Sequence, residues 1–234
     1  MAIIIILSLL RELEKKHTYI FLNHFFRTKG ENMKKVKALQ AALVACGMAL
    51  TGMAVADGHS PSAEALAYTC AGCHGTNGQS MGPASPTLAG MSEYVMVETM
   101  KGFKSGDIPS TIMGRIAKGY SDEQFELMGK FFAKQKFTPA MQDADATLAK
   151  KGAELHDKYC EKCHSEGGSV EMAVEDEVGV LAGQWKPYLH YSLNDFSAGK
   201  RPMPKKMKKS LEKLVEAEGD DGVKALLEYY ASKK

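Results

Sequence analysis

Between Asp145 and Tyr159 the small and apolar positions Leu148, Gly152, Leu155 and Tyr159 recur at three- and four-residue steps, the period of one buried helix face. A second such pattern, in Leu, Val and Ala, runs from Leu211 to Tyr230. Ser121-Asp-Glu-Gln124 has the form of a capping box and leads into a helical segment that carries Phe131-Phe132. Ser60-Pro61 can cap and start another helix, with Glu64 in its first turn. Met96 and Met100 fall on a further helix. These patterns predict an all-α chain.

The elements occur in two matching sets. Leu88-Ala89-Gly90 returns as Leu181-Ala182-Gly183, and Phe103 and Phe196 each lie thirteen residues after their glycine. Gly106 and Gly199 follow three residues later, and each half then closes with one of the helical patterns. Lys136-Phe-Thr-Pro-Ala140 reads as the connection. The expected domains are 57–137 and 145–234, joined by a linker at 138–144. Units this small bury limited surface alone, so a bound cofactor would supply much of each core.

Met33-Lys34-Lys35-Val36-Lys37 precedes an apolar run, Ala38 to Ala54, that ends in Ala54-Val55-Ala56 before Asp57. A basic start, an apolar middle and small residues at the cleavage positions describe a secretory signal peptide over 33–56, with a mature start near Asp57 and export to the periplasm. Gly47, Thr51 and Gly52 dilute the run and argue against a retained membrane anchor; Leu43-Val44-Ala45-Cys46 also resembles a lipoprotein cleavage box. Residues 1–32 read as a mis-assigned extension, with Met33 the initiator, because the ten residues before Arg11 are too few to span a bilayer. The first 56 residues hold eight Lys/Arg and three Asp/Glu, which leaves 22 basic and 25 acidic residues and a net charge of −3. That balance gives no support to nucleic-acid binding.

Of five cysteines, Cys46 lies in the leader, and the other four stand in Cys70-Ala-Gly-Cys-His74 and Cys160-Glu-Lys-Cys-His164. Four cysteines in an exported chain can form two disulfides, a zinc site from two CxxC pairs, or a redox pair. The histidine directly after each second cysteine separates these motifs from all three. C-x-x-C-H is the attachment signature of c-type haem. Cys70 and Cys73 would bind one haem covalently and Cys160 and Cys163 a second, with His74 and His164 reaching the two irons. A thioether is the usual opposite ligand in electron-transfer cytochromes. Met113 lies 39 residues after His74 and Met203 lies 39 after His164, which makes them the expected partners. Met207 is a rival at the second site, whereas Met96 and Met100 are expected to pack. With two strong ligands on each iron no position is open to substrate; a haem enzyme or gas sensor needs one iron without methionine.

Gly82-Pro83 is similar in position to the proline of class I cytochromes c whose carbonyl orients the haem histidine, a resemblance that implies the same role toward His74; the second half has no Gly-Pro there. Glu171, Glu175, Asp176 and Glu177 form an acidic loop, read as a solvated face or a docking surface for a basic partner. Trp185 and Tyr188 are expected beside the second haem, with core or interface packing as the alternative. Lys205-Lys206-Met207-Lys208-Lys209 is a solvated face or a steering site for a partner.

The two-domain, dihaem layout resembles the cytochrome c4 group. The stretches GPASPTLAGMSEYV, GFKSGDIPSTIMGRIAKGYS, GAELHDKYCEKCHSEGG and LAGQWKPYL with RPMPKKM are more similar to the cytochrome subunits of flavocytochrome c sulfide dehydrogenases, over about residues 60 to 233. The resemblance implies two tandem class I cytochrome c domains, each wrapping one covalent haem. It also implies a periplasmic partner that carries FAD and oxidises sulfide, and a soluble acceptor such as a small cytochrome. Catalysis would then lie on the partner, and no stable membrane insertion is expected. A free-standing dihaem carrier that feeds a terminal oxidase is the alternative.

Overall fold

The computed structural model describes residues 61–234; the signal segment 33–56, Cys46, Ser60 and the expected start near Asp57 lie outside them. Every regular element among the described residues is helical. The first half contains α1 (Ala63–Tyr68), α2 (Ala71–His74), a 3-10 turn (Thr76–Gly78), α3 (Glu93–Ser105), α4 (Met113–Ala117) and α5 (Asp122–Ala133). The second contains α6 (Ala146–Tyr159), α7 (Ser165–Gly168), α8 (Val170–Glu175), α9 (Lys186–Ser197) and α10 (Lys205–Ser232).

Local chemistry explains most of these limits. The capping box forms: Gln124 N–H donates to Ser121 Oγ at 3.2 Å, and Ser121 N–H donates to Gln124 Oε1 at 2.9 Å. Asp145 caps α6 by accepting from Leu148 N–H at 2.9 Å. The cap of α1 is Ser62, which accepts from Ala65 N–H at 3.1 Å, two residues beyond the serine that the pattern singles out. Gly106 (φ 90°) and Gly199 (φ 66°) stop α3 and α9 in a left-handed conformation that residues with a Cβ enter at a cost. The last helix starts six residues before Leu211, because Lys205–Lys209 are charged around Met207 and carry no apolar period. Its helical geometry breaks at Gly219 (φ 60°, ψ −154°).

Two apolar cores result. In the first, α5 packs on α1 and α3, burying Leu66, Met96, Val97, Met100, Phe125, Met128 and Phe132. In the second, α6 and α9 pack on α10 around Leu155, Leu189, Leu214, Leu226, Tyr229 and Tyr230. The crossing of α6 and α10 is so close that a Cβ on Gly152 would run into the Ala225 carbonyl and within 2.7 Å of Tyr229 Cβ.

The repeated Leu-Ala-Gly triplet ties each core together. Leu88 and Ala89 N–H both donate to the Gly78 carbonyl (2.7 and 3.2 Å), and Gly90 N–H donates to Phe132 O at 2.9 Å. The copy is faithful: Leu181 and Ala182 donate to Gly168 O (3.1 and 2.9 Å), and Gly183 to Tyr230 O at 2.8 Å.

Glutamines join the halves. Gln184 is 1% exposed and grips the Thr87 backbone on both sides: its Oε1 accepts from Thr87 N–H at 2.9 Å and its Nε2 donates to Thr87 O at 3.1 Å. Gln79 holds Thr138 of the connection in the same way, at 2.6 and 3.0 Å. Gln142 donates to Gln184 O and accepts from Lys186 N–H. Ala140 N–H donates to Gly183 O at 2.7 Å, so the connection is held against the second half. Trp185 packs at the interface of the halves: its indole lies against Gly82 and its Nε1–H donates to Ser80 O at 3.3 Å. Tyr188 packs on the second core.

Three substitutions test this account by chemical denaturation. Gly152→Ala is expected to cost roughly 2–3 kcal/mol, because the obstacle is backbone and cannot rotate away. Gln184→Leu strands a buried N–H and a buried C=O, at roughly 1–3 kcal/mol each. Thr87→Val is expected to leave stability unchanged or raise it by about 1 kcal/mol, because the buried Thr87 hydroxyl has no partner.

Candidate functional site

Each C-x-x-C-H motif folds as one turn on a shared acceptor. Cys73 and His74 N–H both donate to Cys70 O (3.2 and 2.9 Å), and Cys163 and His164 N–H both donate to Cys160 O (3.0 Å each). In both copies the first cysteine is half-buried against its core and the second is exposed. All four thiols are free, so no disulfide joins them. Among the described residues no three His, Cys, Asp or Glu side chains gather to hold a metal ion. Burial raises the Cys70 thiol above its ordinary value and pushes Cys160 up to about 11. Both therefore stay protonated at neutral pH, unlike the activated thiolate of a redox pair.

His74 is buried and His164 half-buried, and both favour the neutral form that ligates iron. Burial lowers the His74 pKa, and the Pro86 carbonyl partly opposes this. Its Nδ1–H donates to Pro86 O at 2.8 Å, which leaves Nε2 with a free lone pair. The orienting carbonyl thus comes from Pro86, not from the expected Gly82-Pro83: the loop that carries Pro83 turns toward Trp185, whereas Pro86 directly precedes the segment tied to Gly78. The signal available in the sequence was that Pro86 stands two residues before the repeated triplet. Gly179 occupies the same place before Leu181. Its carbonyl raises the basicity of His164 without reaching hydrogen-bond geometry, so the buried His164 Nδ1 has no partner. Burial, followed by the nearby His156, lowers His164 to about 4.

Met113 opens α4 and packs on the first core together with Cys70, Phe103 and Tyr120. Met203 lies between α9 and α10 and lines a cavity of about 660 Å³ with Phe196, Arg201, Leu211 and Val215. Met96 and Met100 are buried in the first core. Glu171, Glu175, Asp176 and Glu177 are exposed. Paired thiols on a turn, a desolvated neutral imidazole beside them and a thioether on the same core fit a covalently held haem at the first site. At the second, a half-buried imidazole whose buried Nδ1 has no partner, beside the same thiol turn, fits one as well.

One histidine carried no signal in the sequence. His156 fits the apolar face of α6, yet its ring, 0% exposed, lies among polar groups: Tyr230 Oη is 2.9 Å from Nδ1, and Glu161 Oε2 and His164 O are 2.8 and 3.0 Å from Nε2.

Residues 62–147 match the model of the cytochrome c family. Cytochrome c4 of Azotobacter vinelandii is 32% identical over 181 residues, covering 70% of this chain and 84% of that protein. The cytochrome subunit of sulfide dehydrogenase from Chlorobaculum tepidum is 39% identical over 90 residues, 37% of this chain and 81% of that one. The crystal structure of reduced recombinant cytochrome c4 from Pseudomonas stutzeri superposes with a TM-score of 0.61 at 26% identity, covering 75% of this chain and all of the other. These relatives are cytochrome c electron carriers or electron-transfer subunits. With two class I cytochrome c domains, two C-x-x-C-H turns and this coverage, the chain belongs to the cytochrome c4 family of dihaem electron carriers.

Proposed function

We propose that this chain is the electron-transfer subunit of a periplasmic sulfide dehydrogenase, taking electrons from a partner FAD flavoprotein and passing them to a soluble acceptor such as a small cytochrome. The observation that carries the reading is the 39% identity to the Chlorobaculum tepidum cytochrome subunit, the highest identity among the relatives above. In this reading the mature chain starts near Asp57, with domains at 57–137 and 145–234 and a linker at 138–144. Two c-type haems are covalently bound, the first by Cys70 and Cys73 and the second by Cys160 and Cys163. His74 and Met113 hold one iron, and His164 and Met203 the other.

When bound, each haem supplies reversible one-electron chemistry. The residues of the chain do the rest: the thiols fix the ring, the Pro86 carbonyl aims His74, and the apolar cores exclude water from the iron. A free-standing carrier is the second reading, supported by the longer alignment with cytochrome c4.

Purification of the native protein decides between them. Co-purification of a flavoprotein, with haem reduction on addition of sulfide, supports the subunit reading; a flavin-free monomer that sulfide does not reduce overturns it. A pyridine haemochrome assay is expected to find two c-type haems per chain, falling to one in Cys160→Ala/Cys163→Ala. The reduced native protein is expected not to bind carbon monoxide, whereas Met113→Ala and Met203→Ala each open one site. Redox titration is expected to resolve two potentials, the first haem lower. The Pro86 carbonyl makes His74 the more basic ligand and favours ferric iron, and His164 lacks that hydrogen bond.

A further inference from the structure

The two halves differ just ahead of the cysteines. The residue four positions before Cys70 is Leu66, which packs in the first core; the residue four before Cys160 is His156. Packing alone therefore does not call for a histidine here. A fully buried imidazole is retained without loss only if both nitrogens are satisfied. Nε2 faces two acceptors, Glu161 Oε2 at 2.8 Å and the His164 carbonyl at 3.0 Å, and so carries the hydrogen. Nδ1 then accepts from the Tyr230 hydroxyl at 2.9 Å.

Glu161 extends the network. Its Oε1 accepts from Glu166 N–H at 2.8 Å and its Oε2 from Gly167 N–H at 3.2 Å, which closes the loop that follows His164. Burial works against the ionised form of Glu161, but these amides and His156 outweigh it and hold the carboxyl below its ordinary range. In the first half the corresponding residue is Ala71, which has no such reach. The network thus links α6, the C-x-x-C-H turn, the loop after it and the last turns of α10.

We infer that His156, with Glu161 and Tyr230, is a positioning clamp for the second haem. It holds His164 by its main-chain carbonyl, where the first half holds His74 by its ring through Pro86. The inference rests on the assignment of His164 as an iron ligand. Without the clamp the loop loosens and water reaches the site, which favours the more highly charged ferric iron.

The test uses the exported holoprotein. His156→Leu, which copies Leu66, is expected to lower the potential of the second haem and leave the first unchanged. The Glu166 and Gly167 amides are expected to exchange about tenfold faster, the loss of one ordinary hydrogen bond. His156→Gln, which can restore a donor, is expected to recover part of both effects. Should His156→Leu not fold, Tyr230→Phe and Glu161→Gln are read in the same way, since each removes hydrogen bonds with little change of shape. Unchanged potentials and exchange rates in a folded variant, or an equal shift of both haems, would overturn the clamp. Failure of the underlying assignment has a different signature: His164→Ala would keep the low-spin spectrum of the second haem.

Discussion

Two amides on one carbonyl hold each half of this protein together. The N–H groups of Leu88 and Ala89 converge on Gly78 O, four residues beyond His74, while Gly90 N–H reaches the closing helix at Phe132 O. Leu181, Ala182 and Gly183 repeat this with Gly168 and Tyr230. The bonds are short in space and long in sequence: they fasten the loop after each histidine to the segment before α3 or α9 and then to α5 or α10. The position of the ligand ring follows. Pro86 can face His74 Nδ1 because the next residues are fixed to the turn that carries the histidine.

What was legible in the sequence was local or repeated. The Ser121–Gln124 box, the Asp145 cap and the helix stops at Gly106 and Gly199 depend on neighbours within a turn, so residue type and spacing suffice to find them. The Leu-Ala-Gly triplets were visible as a repeat, though not their bonding. The pairings that were not legible act across the chain. Trp185 meets Ser80 over 105 positions, Gln184 meets Thr87 over 97, and His156 meets Tyr230 over 74. No periodicity reports such a pairing; Gln184 and His156 are polar residues buried only because a distant group satisfies them. Pro83 and Pro86 stand three residues apart, and only the path of the loop decides which carbonyl faces the ring.

The repeat is also unequal in a way that bears on redox chemistry. The first half secures its histidine through the ring, and the second leaves the His164 ring unpartnered and surrounds the motif with charged and polar side chains. Beyond Met203 the second half closes with a single helix, Lys205–Ser232, broken at Gly219, where the first half has two shorter helices, α4 and α5. Five lysines between Lys205 and Lys213 stand on that helix, close to Met203 in sequence, and have no counterpart in α4.

The connection between the halves has a further consequence. Thr138 is gripped by Gln79 and Ala140 is bonded to Gly183, so residues 136–142 act as a staple and not as a tether. A tethered pair of domains would exchange electrons at a rate set by how often they collide. In the proposed two-haem protein the gap an electron would tunnel across is set instead by these hydrogen bonds between the halves.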